Sequence, residues 1–111
     1  MIERGDVVSV DLDPVLGSEV GKKRPAVVLQ NELANRSSPT VTVIPVSSKV
    51  DRVYPFQVRI PAGEAGLARD SKALCEQIRS VSKERIGDRL GKLSEARLAE
   101  IRTALDRHLW F

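Results

Sequence analysis

The sequence has little of three things on which many enzymes depend: thiols, imidazoles and aromatic rings. Its 111 residues include one cysteine, one histidine, one tryptophan, one tyrosine and two phenylalanines. Cys75 cannot form an internal disulfide or a zinc site by itself, so we expect a small buried side chain there. His108 has no second histidine with which to share acid and base roles, which excludes catalysis by a histidine pair.

Long apolar runs and familiar phosphate-binding loops are also absent. No segment approaches the roughly 18 apolar residues of a membrane span, and residues 1–6 lack the apolar stretch of a secretory signal. There is no G-x-x-x-x-G-K-[ST] loop and no dinucleotide fingerprint. Asp11 and Asp13 would share one face of a strand, but no third ligand stands at metal-binding spacing. We therefore expect a cytoplasmic protein with no metal, no cofactor and no membrane partner.

The hydrophobic residues are enough for one core, and the charged residues leave a modest excess of positive charge. Hydrophobic residues make up 41% of the chain, which at 12.2 kDa predicts a single domain over residues 1–111. The net charge is +3. The cations fall in separate clusters along the chain, so they would have to converge in the fold to form a nucleic-acid-binding surface.

Short segments of alternating or β-branched residues predict a sheet. We expect strands at 8–12, 25–30, 40–46, 56–60 and 72–81, and one possible helical turn at 32–34. Pro45 implies an edge strand or a bulge. Near the C-terminus, Ser94 is a plausible helix N-cap, followed at helical spacing by Leu98, Ile101, Leu105 and Leu109. The predicted fold is therefore mainly β with a C-terminal helix, as a small curved sheet or barrel.

A charged loop leads into the second predicted strand. Residues 17–24 read Gly-Ser-Glu-Val-Gly-Lys-Lys-Arg, and the apolar strand follows at once. Arg24 stands where the loop meets the strand, so its base is fixed while its planar fork of donors suits phosphate oxygens. Glu19 is a candidate proton acceptor across the loop. The alternative is a solvated loop with a surface salt bridge.

Guanidinium, carboxylate, hydroxyl and lysine groups are enough to cleave RNA, because RNA carries its own nucleophile in the 2′-hydroxyl. Arg24 is the best placed of them to stabilise the extra negative charge that develops on the phosphate. Ser47 or Ser48, just after the third predicted strand, would supply a second donor if that strand lies beside the second.

Several segments closely resemble the MazF/PemK family of toxin endoribonucleases. They are Gly5-Asp6-Val7-Val8, Asp11-Leu12-Asp13-Pro14, Gly17-Ser18-Glu19, Arg24-Pro25-Ala26-Val27-Val28, Asn35-Arg36-Ser37-Ser38-Pro39-Thr40 and Glu76-Gln77-Ile78-Arg79. The resemblance implies an SH3-like barrel, a homodimer and metal-independent cleavage of single-stranded RNA at short sequences. It also implies 2′,3′-cyclic phosphate and 5′-hydroxyl ends, and a cognate antitoxin that blocks the site.

The same resemblance implies roles for individual residues. The family's essential arginine falls on Arg24, its strand-end threonine on Ser47 and its loop carboxylate on Glu19. The residues expected to bind RNA are Ser18, Lys22, Lys23, Gln57, Glu76, Gln77 and Arg79. Ser47 departs from the family's threonine but keeps the hydroxyl. With so few aromatics, base stacking would depend chiefly on Tyr54 and Phe56.

Two other functions fit the sequence less well. CcdB-type toxins of the same fold poison DNA gyrase through an exposed C-terminus that contains tryptophan, and this chain ends Leu109-Trp110-Phe111. We expect these residues instead to pack the last helix or a dimer interface. The other alternative is an SH3-like binding module without activity, which would leave Glu19 and Arg24 with no role.

Overall fold

A computed structural model of the chain describes residues 2–19 and 21–110. The elements run in the order β1 (Asp6–Asp11), β2 (Lys23–Val28), α1 (Glu32–Ser37), β3 (Thr40–Ser47), β4 (Gln57–Ile60), β5 (Ser71–Leu74), β6 (Arg79–Ser82), β7 (Ile86–Lys92) and α2 (Glu95–Leu109). Three 3₁₀ turns intervene, at Glu64–Gly66, Cys75–Gln77 and Lys83–Arg85. The class predicted from the sequence, mainly β with a C-terminal helix, is confirmed.

The seven strands form one antiparallel sheet in the order β4-β5-β3-β2-β1-β7, with β6 also paired to β3. In the described part of the chain, the outer strands β4 and β7 do not pair with each other. The predicted barrel is therefore better described as a strongly curved open sheet.

The core lies on both faces of this sheet. On one face, Val7 and Val27 join Leu98 and Ile101 of α2 in one apolar cluster. On the other face, Val8 and its neighbours Val10, Val28 and Val43 form a second apolar cluster. Because successive side chains of a strand point to opposite faces, burial of both Val7 and Val8 shows that β1 is covered on both sides.

Helix α2 begins and packs as the sequence predicts over most of its length. The Ser94 side chain accepts a hydrogen bond from the Arg97 backbone N–H at 3.1 Å, as an N-cap should. Leu98 and Ile101 are buried, but Leu109 is 56% exposed, so the predicted core stripe ends before the last turn. Neither helix in the described residues combines the length and apolar character needed to cross a membrane.

Two strand predictions are wrong. Pro45 lies in an interior strand, in regular register with Ala26, where the other partner of β3 changes from β6 to β5. The single strand expected over 72–81 is instead two strands separated by the turn Cys75–Gln77. Because of that turn, Cys75, Gln77, Arg79 and Val81 do not alternate along one strand face.

Strand β7 was not predicted, because its residues are mostly polar and exposed. It passes very close to the turn Glu64–Gly66. A Cβ on Gly91 would lie 2.5 Å from the Ala65 carbonyl oxygen, and one on Gly66 would lie 2.0 Å from the Leu90 carbonyl oxygen. Both glycines are needed for this approach, which lies directly before residues 67–69.

We expect Gly66→Ala to destabilise the fold much more than Gly63→Ala. Both glycines have positive φ, +76° and +89°, so both substitutions carry the strain of a left-handed residue, roughly 1–2 kcal/mol. Only Gly66 has backbone in the path of the new methyl group, which adds about 1–3 kcal/mol for the forced displacement. Urea denaturation measures the difference. Equal losses for the two variants would show that the close approach to β7 does not constrain the fold.

Candidate functional site

A cavity of about 400 Å³ opens where β2 begins and β3 ends. Its polar lining includes Arg24, Ser47, Ser48, Lys49, Arg69 and Ser71. Three cations and three hydroxyls contribute to this wall, and no carboxylate from residues 2–19 or 21–110 does. We call it the cationic pocket. Such a donor set favours an anion with several oxygens, such as a phosphate.

The pairing of β2 with β3 explains why Arg24 and Ser47 meet. These strands are antiparallel, with Ala26 opposite Pro45 and Val28 opposite Val43. The same register, continued by two residues, sets Arg24 directly opposite Ser47. Because side chains two residues apart point to the same face of a strand, both side chains emerge on the same side of the sheet. The condition that the two strands be neighbours is thus met.

The Arg24 side chain is held by one hydrogen bond and open at its far end. Its Nε donates to the Gly21 carbonyl oxygen at 2.9 Å. Its two Nη atoms have no protein partner among the described residues. The guanidinium is thus oriented by the loop it follows, with its two-pronged edge available to a ligand.

The Ser47 hydroxyl oxygen accepts a hydrogen bond from the Lys49 backbone N–H at 3.2 Å. That bond uses a lone pair and leaves the hydroxyl hydrogen to donate. Ser47 is the last residue of β3 and pairs with Lys72 of β5, so the sheet fixes its backbone. Ser47 therefore offers the pocket a donor on a rigid base.

Arg69 and Lys49 are pocket residues that the sequence analysis missed. Arg69 is exposed and lies in the segment before β5, where its carbonyl oxygen accepts a hydrogen bond from the Ser71 hydroxyl at 2.9 Å. The adjacent Asp70 is held by the Ala62 N–H and by Arg59, which together lower the pKa of its carboxyl. Asp70 is thus engaged away from Arg69. No local pattern in the sequence marks Arg69, since only the fold carries it to Arg24.

A second cavity, of about 430 Å³, contains five of the predicted site residues. Its lining consists of Ser18, Glu19, Glu76, Gln77, Ile78 and Arg79. We call it the acidic cavity, because two carboxylates, those of Glu19 and Glu76, line it. Glu19 therefore lines a different cavity from Arg24, and its Oε1 accepts from the Leu16 N–H at 2.7 Å. Its role as a proton acceptor stays a prediction.

The buried Gln57 and the half-buried Glu76 are hydrogen-bonded beside the acidic cavity. Gln57 is only 8% exposed, and its amide nitrogen donates to Glu76 Oε2 at 2.7 Å. The amide oxygen of Gln57 accepts from the Tyr54 N–H at 3.2 Å. Glu76 Oε1 is buried with no partner among the described residues.

The neighbouring Cys75 is buried as expected, and burial, helped by the Glu76 charge, raises the pKa of its thiol to about 12.

Lys22 and Lys23 are exposed and line neither cavity. Lys22 has a positive φ of 66°, and its N–H donates to Asp13 Oδ1 at 2.8 Å. Lys23 pairs with Asp11 in the β1–β2 register. Their positive charges are therefore available for long-range attraction of an anion rather than for a shaped contact.

The aromatic residues gather away from both cavities. The rings of Tyr54 and Phe56 stack with centroids 5.4 Å apart, and Phe56 also contacts His108 at 6.1 Å. Base stacking on these rings stays a prediction. Trp110 is 72% exposed in the single chain, so it does not pack against the last helix, and its expected place in a dimer interface stays a prediction. Phe111 lies outside the described residues.

Within residues 2–19 and 21–110, no three or more His, Cys, Asp or Glu side chains are grouped to hold a metal ion. The cationic pocket presents donors suited to a phosphate, and the acidic cavity presents carboxylate acceptors suited to N–H groups. A small curved sheet with these two cavities has the surface chemistry of the class of proteins that bind a polyanion with polar side groups.

Comparison with known proteins agrees with this class and narrows it. Residues 3–109 match the family described as PemK-like, MazF-like toxin of type II toxin-antitoxin system. The chain is 46% identical to Endoribonuclease MazF9 of Mycobacterium tuberculosis over 114 aligned positions, covering 98% of this chain and 97% of that protein. Because the family match spans nearly the whole chain, this protein belongs to the PemK-like, MazF-like toxin family.

Two crystal structures from Deinococcus radiodurans share the fold. That of MazF has a TM-score of 0.85 at 30% identity and covers 97% of this chain and 96% of its own. That of MazE-MazF has a TM-score of 0.78, also at 30% identity, and covers 97% and 95%.

Proposed function

We propose that this protein is the toxin of a type II toxin–antitoxin system and acts in the cytoplasm as a metal-independent endoribonuclease on single-stranded RNA. The observation that carries the proposal is the placement of Arg24 opposite Ser47 in the cationic pocket. The endoribonuclease names of the relatives support it.

In the proposed reaction, the scissile phosphate binds in the cationic pocket. The 2′-hydroxyl of the RNA gives up its proton and forms a bond to phosphorus, and the bond from phosphorus to the 5′-oxygen breaks. The products are a 2′,3′-cyclic phosphate and a 5′-hydroxyl, whose oxygen receives a proton. Arg24 contacts two phosphate oxygens, and Ser47 donates to the oxygen on which charge accumulates.

Further groups would hold the strand in place. Lys49 and Arg69 line the same pocket and would bind the scissile or a flanking phosphate. We retain Glu19 as the proposed proton acceptor, which requires its carboxylate to come within hydrogen-bond reach of the 2′-hydroxyl beside the scissile phosphate when RNA is bound. Lys22 and Lys23 would attract the strand from a distance.

Exposed Trp110 is the observation that favours the alternative of a gyrase poison. Arg24, Ser47 and the rest of the cationic pocket have no role in that activity. Inhibition of gyrase by the purified chain, without any cleavage of RNA, would establish the alternative and overturn the proposal.

We expect the purified chain to cut a mixed single-stranded RNA in EDTA, leaving 2′,3′-cyclic phosphate ends. A 2′-deoxy sugar at the scissile position should block the cut, because it removes the nucleophile.

Arg24→Ala should abolish turnover with the fold intact, and Arg24→Lys should recover little, because a point charge cannot make the forked contact. Mass spectrometry of the ends and thermal unfolding of the variants measure these outcomes.

Cleavage of the deoxy substrate would rule out this mechanism. Retention by Arg24→Ala of more than about a tenth of the wild-type rate, a loss below roughly 1.4 kcal/mol, would show that Arg24 is not the main stabiliser.

Ser47→Ala should slow cleavage by roughly ten- to a thousandfold, the effect expected for one transition-state donor. Ser47→Thr should retain the activity, because it keeps the hydroxyl and restrains its rotation. Ser48→Ala is the matched control and should slow cleavage much less, because Ser48 lines the same pocket but lies one residue past the position opposite Arg24. Single-turnover cleavage rates of the three variants, measured on one RNA, test this ranking. The reverse order for the two alanine variants would place the donor at Ser48.

We also propose that the toxin is a homodimer and binds a cognate antitoxin. MazF of Deinococcus radiodurans, which shares the fold, has been crystallised as a MazE-MazF assembly. Further support comes from the exposed apolar side chains Leu16, Leu33, Leu90, Leu109 and Trp110. Sedimentation should give a dimer at micromolar concentration. A fully active monomer would contradict it.

An acidic antitoxin segment over Lys22 and Lys23 should bind more slowly as salt rises, which stopped-flow mixing measures. A salt-insensitive complex that leaves RNA cleavage unaffected would count against shared use of the site.

A further inference from the structure

One peptide unit in the loop between β1 and β2 is bound at both of its ends. Its N–H belongs to Lys22 and donates to Asp13 Oδ1 at 2.8 Å. Its carbonyl oxygen belongs to Gly21 and accepts from Arg24 Nε at 2.9 Å. Because a peptide unit is planar and rigid, the group that holds its N–H also sets the direction of its carbonyl. The Asp13 carboxylate therefore determines where the acceptor for Arg24 points.

The conformation of this peptide unit is held in place by the two residues that follow β1. Lys22 has a φ of +66°, in the left-handed region that residues other than glycine avoid. The Leu12 N–H donates to the Lys22 carbonyl oxygen at 3.0 Å, next to the bond from Asp13. A Cβ on Gly21 would overlap Asp13 Oδ1, so the carboxylate packs directly against the peptide unit that it binds. These contacts stabilise a backbone form that a lysine would not adopt by itself.

Arg85 holds the backbone that carries Asp13. Its Nη1 donates to the carbonyl oxygen of Asp11 at 3.1 Å and also to that of Asp13. Arg85 lies in the turn directly before β7, which pairs with β1, so these bonds tie the start of the loop to the sheet. Continuous contacts thus run from Arg85 through Asp13 and the Gly21–Lys22 peptide unit to Arg24.

We propose that Asp13 is a positioning residue for RNA cleavage: its carboxylate holds the Gly21–Lys22 peptide unit so that the Gly21 carbonyl orients the Arg24 guanidinium in the cationic pocket. The inference rests on the proposed function and adds the group that orients its main charge-stabilising residue. A neutral carbonyl suits this task, because it fixes Nε without cancelling the positive charge that the phosphate needs. The bond from the N–H to the carboxylate also polarises the peptide unit, which makes its carbonyl a better acceptor.

The first test compares cleavage and RNA binding in three variants. Asp13→Ala removes the acceptor for the Lys22 N–H and should slow single-turnover cleavage about ten- to a hundredfold, the loss expected when a catalytic group is displaced. The Kd for an uncleavable 2′-deoxy substrate should change far less, because Arg24 acts mainly on charge that develops in the transition state. Asp13→Asn keeps Oδ1 as an acceptor and should retain most of the activity. Asp88→Ala removes an exposed carboxylate of β7 and should leave both quantities unchanged.

The second test observes Arg24 in the absence of RNA. Its Nε–H gives a proton–nitrogen NMR signal, which is identified as the one missing from the spectrum of Arg24→Lys. The bond to the Gly21 carbonyl should slow exchange of this hydrogen with water in the wild type and in Asp13→Asn, whereas Asp13→Ala should speed it. The Nε–H of Arg97, which donates to Glu64 Oε2 at 2.8 Å, is the internal control. A general loosening of the fold would speed exchange at both arginines, whereas a loss of positioning would affect Arg24 alone.

Should Asp13→Ala fail to fold, Arg85→Met removes the donors that hold the Asp13 backbone and keeps an apolar stem. It should speed exchange at the Arg24 Nε–H in the same way. Unchanged exchange at Arg24 in the folded variants, or cleavage by Asp13→Ala at the wild-type rate, would overturn this inference and leave the proposed endoribonuclease in place. A wild type that cuts no RNA would overturn the proposed function, and the positioning role with it.

Discussion

The arrangement of the site depends on the register between β2 and β3. With Ala26 opposite Pro45, Arg24 and Ser47 face each other, and a shift of one residue would turn the two side chains to opposite faces of the sheet. Burial fixes this register, because Val27 and Val28 belong to the clusters on the two faces of the sheet. The same apolar packing that stabilises the fold therefore aligns the guanidinium with the hydroxyl.

The sequence was sufficient for those elements whose pattern is local. Alternating and β-branched residues mark β1 to β4, and the Ser94 cap with its leucine spacing marks α2. Strand β7 escaped notice because its exposed, polar residues carry no apolar period. The turn Cys75–Gln77 is not distinguishable from strand in the sequence, since a single 3₁₀ turn between two short strands has no residue pattern of its own.

The sequence predicted individual residues of the candidate site, but it did not predict which of them share a cavity. Arg24 and Ser47 were paired on the condition that their strands be neighbours, and the sheet meets it. Glu19 lies in the loop that leads to Arg24. It nevertheless lines the acidic cavity with residues 76–79, which are distant from it in sequence. Arg69 has no local signal at all. These groupings depend on contacts between distant segments, which residue spacing does not encode.

The strand that ends in Ser47 has partners along both flanks: β2 on one side, and β6 and then β5 on the other. A strand enclosed in this way cannot fray by itself, since freeing it breaks pairings with three others. The end of β3 therefore gives the cationic pocket a wall that the sheet itself holds in place.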